Sequence, residues 1–104
     1  KAPALDLKNL PQEFDVGSMN IELILNLARA YHKVKWFDKA HRLCNEANKI
    51  FPGHVEVMYH LGLTLFLMGR LEEAKIHLSQ AVALEPYHVA AQTLLSQIKD
   101  KQSA

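Results

Sequence analysis

The 104-residue chain is poor in several things at once, and each shortage removes a class of protein. A single cysteine cannot form an internal disulfide, which excludes the small secreted scaffolds held by cross-links. Four glycines and four prolines are too few for a sandwich of many short strands joined by tight turns. A formal charge of +1 leaves no electrostatic footprint for nucleic acid or for an anionic bilayer surface. The longest apolar run, Leu63 to Met68 broken only by Thr64, falls far short of the ~20 residues that a bilayer requires. Nothing reads as a signal peptide, and the cytoplasm is the favoured compartment.

What remains is 49% hydrophobic and 22% charged, the composition of one folded domain. Between the prolines and glycines lie segments rich in Leu, Ala, Glu, Lys and Gln, which are good helix formers. Ile21, Ile24, Leu25, Ala28 and Tyr31 recur at helical spacing, as do Phe37, Ala40, Leu43, Cys44, Ala47 and Ile50. Val55, Met58, Leu61, Gly62 and Leu65 mark a third helix, and Leu71, Ala74, Leu78, Ala81, Val82 and Leu84 a fourth. A fifth starts near Val89, carries Leu94, Leu95 and Ile98, and fades into a polar tail. Five helices without a convincing strand predict an all-α chain.

The chain also repeats itself. A shift of 34 residues lays Ala40 on Ala74, Ala47 on Ala81 and Pro52 on Pro86, and pairs Leu27 with Leu61, Ala28 with Gly62, Cys44 with Leu78 and His54 with His88. Small residues at these places let two antiparallel helices cross closely, and each proline stops a helix. A period of 34 with these letters resembles the tetratricopeptide repeat (TPR), over residues 21–52 and 55–86 and on into the helix from 89. Two departures stand out. Ile24 and Met58 occupy the early aromatic position, and Lys35 stands where repeat two has its turn glycine, Gly69.

The resemblance implies a right-handed α-solenoid of two helix-turn-helix units plus a C-terminal capping helix: repeat one at 21–54, repeat two at 55–88 and the cap at 89–104. It also implies a non-enzymatic scaffold whose concave surface comes mainly from the first helix of each repeat. The matching positions include Leu25, Asn26, Arg29, His32 and Lys33 in repeat one, and Tyr59, His60, Leu63, Phe66 and Leu67 in repeat two. A helix that is apolar nearly all round from Leu61 to Met68 needs cover on every side. That cover is supplied inside the chain, by a second copy in a homodimer, or by a partner's apolar peptide or helix docked through i, i+3, i+4 anchors. One subset of the family grips the acidic C-terminal tails of heat-shock chaperones with Lys, Asn and Arg. The matching positions here hold Leu25, Arg29, His60, Ala90 and Leu94, so no chaperone-tail binding is expected. Charge is uneven: residues 21–52 carry six basic and three acidic side chains, residues 55–86 two and four.

Residues 1–16 lie outside the repeat and carry Leu5, Leu7, Leu10, Phe14 and Val16 among two prolines and charges, as a linear binding segment does. Residues 17–20 form a linker in which Gly17-Ser18-Met19 reads as a fusion joint followed by a start methionine. The segment is then a tethered ligand occupying the groove around Tyr59, Leu63 and Phe66, in its own molecule or a neighbour. The rival is a natural extension that caps repeat one. His41 and Cys44 share a helical face, but no second pair accompanies them, so neither metal nor cofactor is expected. Nucleophile elbow, phosphate-cradling glycine loop and His-Glu-x-x-His are all missing from the sequence. The remaining alternatives to an adaptor are a homo-oligomerisation module and a regulatory fragment of a larger protein.

Overall fold

A computed structural model describes residues 5–103; Lys1 to Ala4 of the N-terminal segment and Ala104 of the cap lie outside it. Five helices follow one another: α1 Ile21–Lys33, α2 Phe37–Ile50, α3 Val55–Leu67, α4 Leu71–Leu84 and α5 Val89–Ser103, preceded by a 3-10 turn at Val16–Ser18. No strand occurs among the described residues.

Local chemistry sets the boundaries. The Asn20 side chain accepts the Leu23 N–H at 2.8 Å and starts α1, and His32 and Lys33 in its last turn suit the negative end of the helix dipole. Phe51 and Glu85, each just before a proline, leave helical geometry at ψ 64° and 89° and end α2 and α4. The two turns inside the repeats are alike despite their different residues. Lys35 adopts φ 64° and Gly69 φ 80°. In the first turn Lys35 N–H bonds His32 O and Trp36 N–H bonds Tyr31 O; in the second Gly69 bonds Phe66 and Arg70 bonds Leu65. Lysine in place of glycine leaves this turn as tight as its counterpart, at the cost of a left-handed backbone that a Cβ disfavours.

Packing runs along the chain: α1 on α2, α2 on α3, α3 on α4 and α4 on α5, while α1, α3 and α5 also touch in series and make one layer. Ala28, Ala40, Ala47, Ala74 and Ala81 are fully buried where helices meet. At Gly62 a Cβ would stand 2.6 Å from Leu78 Cγ, so only glycine fits. Helix α5 lies last in the array. In the other repeats the positions facing the second helix are Met58, Gly62 and Leu65 or Ile24, Ala28 and Tyr31; in α5 they are Gln92, Ser96 and Lys99. That stripe is polar, while Ala91, Leu94 and Ile98 are buried on the inner side.

Candidate functional site

The described part of the N-terminal segment runs over the open end of α1 and α2. Leu10 and Val16 are buried, Leu5 and Phe14 half-buried and Leu7 exposed. Tyr31 Oη donates to Pro11 O at 2.5 Å, the Phe14 and Tyr31 rings lie 6.2 Å apart, and Trp36 stacks on Tyr31 at 5.9 Å. The Arg42 guanidinium sits 4.4 Å from the Phe14 ring centre and 3.4 Å from Glu13. Instead of the face around Tyr59, Leu63 and Phe66, the segment covers the surface that a preceding repeat would cover. The physical reason is the linker. Asp15 accepts the Gly17 N–H at 3.2 Å and folds residues 16–18 into a turn on α2, which leads the chain onto the Tyr31–Trp36 platform and not into the groove.

The face of the α1–α3–α5 layer is therefore left to other contacts. Its middle is a line of rings: His32 and His60 stack 6.3 Å apart within 2° of parallel, Tyr59 meets His60 edge-on at 5.2 Å, and Tyr59 faces His88 at 5.1 Å. Hydrogen bonds fix the tautomers. Thr64 Oγ1 donates to His60 O at 2.7 Å and so accepts from His32 Nε2–H, also at 2.7 Å. His60 Nδ1–H donates to Glu56 O at 2.8 Å. His88 Nδ1 accepts the Ala91 N–H at 3.1 Å, capping α5, so its Nε2–H donates to the Glu56 carboxylate at 2.7 Å. Burial, with help from neighbouring His60, pushes His32 down to about 4, and burial likewise lowers His60. Both rings are neutral hydrogen-bonding spacers at neutral pH.

Around that line the expected positions divide. Leu25 and His60 are buried floor; Asn26, His32, Tyr59, Leu63 and Phe66 are half-buried; Arg29, Lys33 and Leu67 are exposed, Leu67 at 42%. Arg29 Nη1 donates to Asn26 Oδ1 at 3.1 Å. Lys101 of α5 places its ammonium 5.9 Å from the Phe66 ring centre. Sequence reasoning missed the Glu56–His88 tie and Lys101. The first was legible as acid and base at matching ends of successive helices, whereas the second depends on how α5 lies. The cover expected for Leu63, Phe66 and Leu67 is incomplete.

No set of three His, Cys, Asp or Glu side chains that could hold a metal occurs among the described residues. Cys44 is buried, and burial pushes its thiol up to about 12, far from a nucleophile's range. No helix among the described residues is long and apolar enough to cross a membrane.

A family model described as Tetratricopeptide repeat matches residues 35–98. The chain belongs to the tetratricopeptide repeat family. Solved TPR domains share its architecture. The first TPR of Spaghetti (RPAP3), bound to an HSP90 peptide SRMEEVD, matches at 29% identity and TM-score 0.76 over 82% of this chain and 68% of that one. The first TPR domain of human RPAP3 gives 30% and 0.74 over 78% and 64%. The second TPR domain of human RPAP3, in complex with an HSP70 peptide SGPTIEEVD, gives 31% and 0.71 over 77% and 67%. The chain thus spans about two thirds of the length of these domains. TPR domains are protein-interaction modules, and nothing in the arrangement of the described side chains points to catalysis.

Proposed function

We propose that this TPR chain is a non-enzymatic adaptor whose α1–α3–α5 face receives a short segment of another protein through apolar anchors. One observation carries the reading: Leu63, Phe66 and Leu67 stand on the layer made by the first helices, only partly covered by the chain itself. A half-open apolar strip with polar flanks suits a ligand side chain better than water. The solved relatives in complex with chaperone peptides support peptide recognition as the general activity. Chaperone tails are not the ligand. Of the positions expected to meet such a tail, Leu25, His60 and Leu94 are buried and Ala90 is apolar, which leaves Arg29 as the one cation.

The test is capture of peptides by the full chain against variants Leu63→Asp and Leu67→Asp. Loss of capture in both, with helix content and melting unchanged, supports the site; retained capture refutes it, and micromolar binding of an acidic chaperone-tail peptide refutes the exclusion of chaperone tails. A second reading, self-association, is favoured by Tyr87 at 91% exposure and Val89 at 70%, close to exposed Leu84. Light scattering separates the two: a dimer broken by Tyr87→Ser with Val89→Ser supports self-association, and a monomer removes it.

A further inference from the structure

The repeat period places charges on this face in a pattern that selects among apolar ligands. Lys33, Leu67 and Lys101 stand 34 residues apart and hold the same position on α1, α3 and α5. Arg29 is level with Leu63 in the same way, one turn closer to the middle. At the opposite end of the face Glu22 and Glu56 are level with each other. The partly exposed apolar patch therefore lies between cations at one end of the groove, opposed there by the exposed carboxylate of Asp100, and the far end is acidic.

A helix dipole alone accounts for a lysine in a last turn. It accounts for Lys33 and Lys101 on their own helices, but not for the apolar residue between them or for the direction of Lys101. The last turn of α3 carries no base and shows Leu67 instead, and Lys101 turns its ammonium towards the Phe66 ring of the patch.

We propose that the face recognises an extended acidic-x-apolar-x-acidic segment, with the apolar side chain on Leu63, Phe66 and Leu67 and the two carboxylates at Lys33 with Arg29 and at Lys101. The proposal rests on the peptide-binding reading of this face and adds the chemistry of the ligand. Three adjacent helices set Lys33 and Lys101 about 20 Å apart along the backbone. After the reach of both lysine side chains, the remaining gap matches an extended segment, at ~3.3 Å per residue, with carboxylates about four residues apart. Residues i, i+2 and i+4 of an extended chain point to one side, so acid, apolar group and acid meet the face together. This differs from a tail clamp, because neither a chain terminus nor adjacent acids are required.

Selection of a random dodecapeptide library on the full chain tests the proposal, followed by titration of one selected peptide and its Glu→Gln counterpart. The expected result is enrichment of the acidic-x-apolar-x-acidic pattern, with the acidic form binding about tenfold tighter at low salt from two partly exposed ion pairs. That advantage shrinks at about 0.5 M salt and is lost in Lys33→Gln with Lys101→Gln. Selected peptides without acids, or equal binding of the two forms, overturn the proposal while leaving the groove in place. Failure to select any peptide removes the groove reading itself. Should the double variant not fold, the comparison of the two peptides on the unaltered chain still decides.

Discussion

Replacing Gly62 by alanine sets two known magnitudes against each other. An interior helical glycine is ~1 kcal/mol worse than alanine, so propensity alone predicts stabilisation. Against this, the new Cβ would meet Leu78 Cγ at 2.6 Å and Cδ2 at 2.7 Å. Leu78 is fully buried and its Cγ is not a free end, so it has nowhere to go. Overpacking of this kind costs ~1–3 kcal/mol, and the net expectation is a loss of about 1 kcal/mol, or roughly 4–8 °C in Tm for a domain of this size. The first repeat shows how nature resolves the same crossing: there the pair at equivalent positions is Ala28 with Cys44, a larger residue facing a smaller one. Leu78→Cys alone should cost ~2 kcal/mol by emptying core volume. Joined with Gly62→Ala it should cost less than the two single losses together, with a coupling of about 1 kcal/mol. Urea unfolding of the four proteins measures this cycle. Gly62→Ala stabilising by the full propensity difference, with no coupling to position 78, would refute the packing argument.

Three further outcomes follow from the geometry. Lys35→Gly removes a Cβ from a left-handed position and should raise stability by ~0.5–1 kcal/mol in thermal melts, while Gly69→Lys should lower it by a similar amount. Leu10→Ala should cost ~2–3 kcal/mol and exposed Leu7→Ala less than ~0.5 kcal/mol; equal effects would show that residues 5–16 do not cap the first repeat. His32 has its folded pKa lowered to about 4 from 6.5, so the unfolded chain binds the proton first and stability is lost as pH falls from about 6.5 towards 4. Because the ring is partly solvated, about 1–2 kcal/mol is expected between pH 7 and 5, and the slope of unfolding free energy against pH should flatten in His32→Gln.

The helices and the repeat were legible because local chemistry and packing agree at those positions. Pro52 and Pro86 end helices wherever they occur, and alanines spaced to meet a neighbouring helix are buried in both repeats. The N-terminal segment was half legible. Its leucines announced anchors, but which apolar surface they meet depends on the turn made by Asp15 and Gly17 and on the Tyr31–Trp36 platform, and these form only when the helices are packed. His88 looked like a loop residue following a proline. It caps α5 through Ala91, and its bond to Glu56 joins positions 32 residues apart, which only the repeat period, and no local pattern, brings together. On the candidate face the degree of exposure was not legible: Leu25 and His60 are floor, and Leu67 is open.

The central claim is that ligand segments bind on the α1–α3–α5 face. Chemical-shift mapping of isotope-labelled chain with a library-selected peptide tests it directly. The account predicts the largest shifts at Arg29, Lys33, Tyr59, Leu63, Phe66, Leu67 and Lys101, with residues 5–16 unchanged. Shifts centred on residues 5–16 and Trp36, or on Leu84, Tyr87 and Val89, would contradict it.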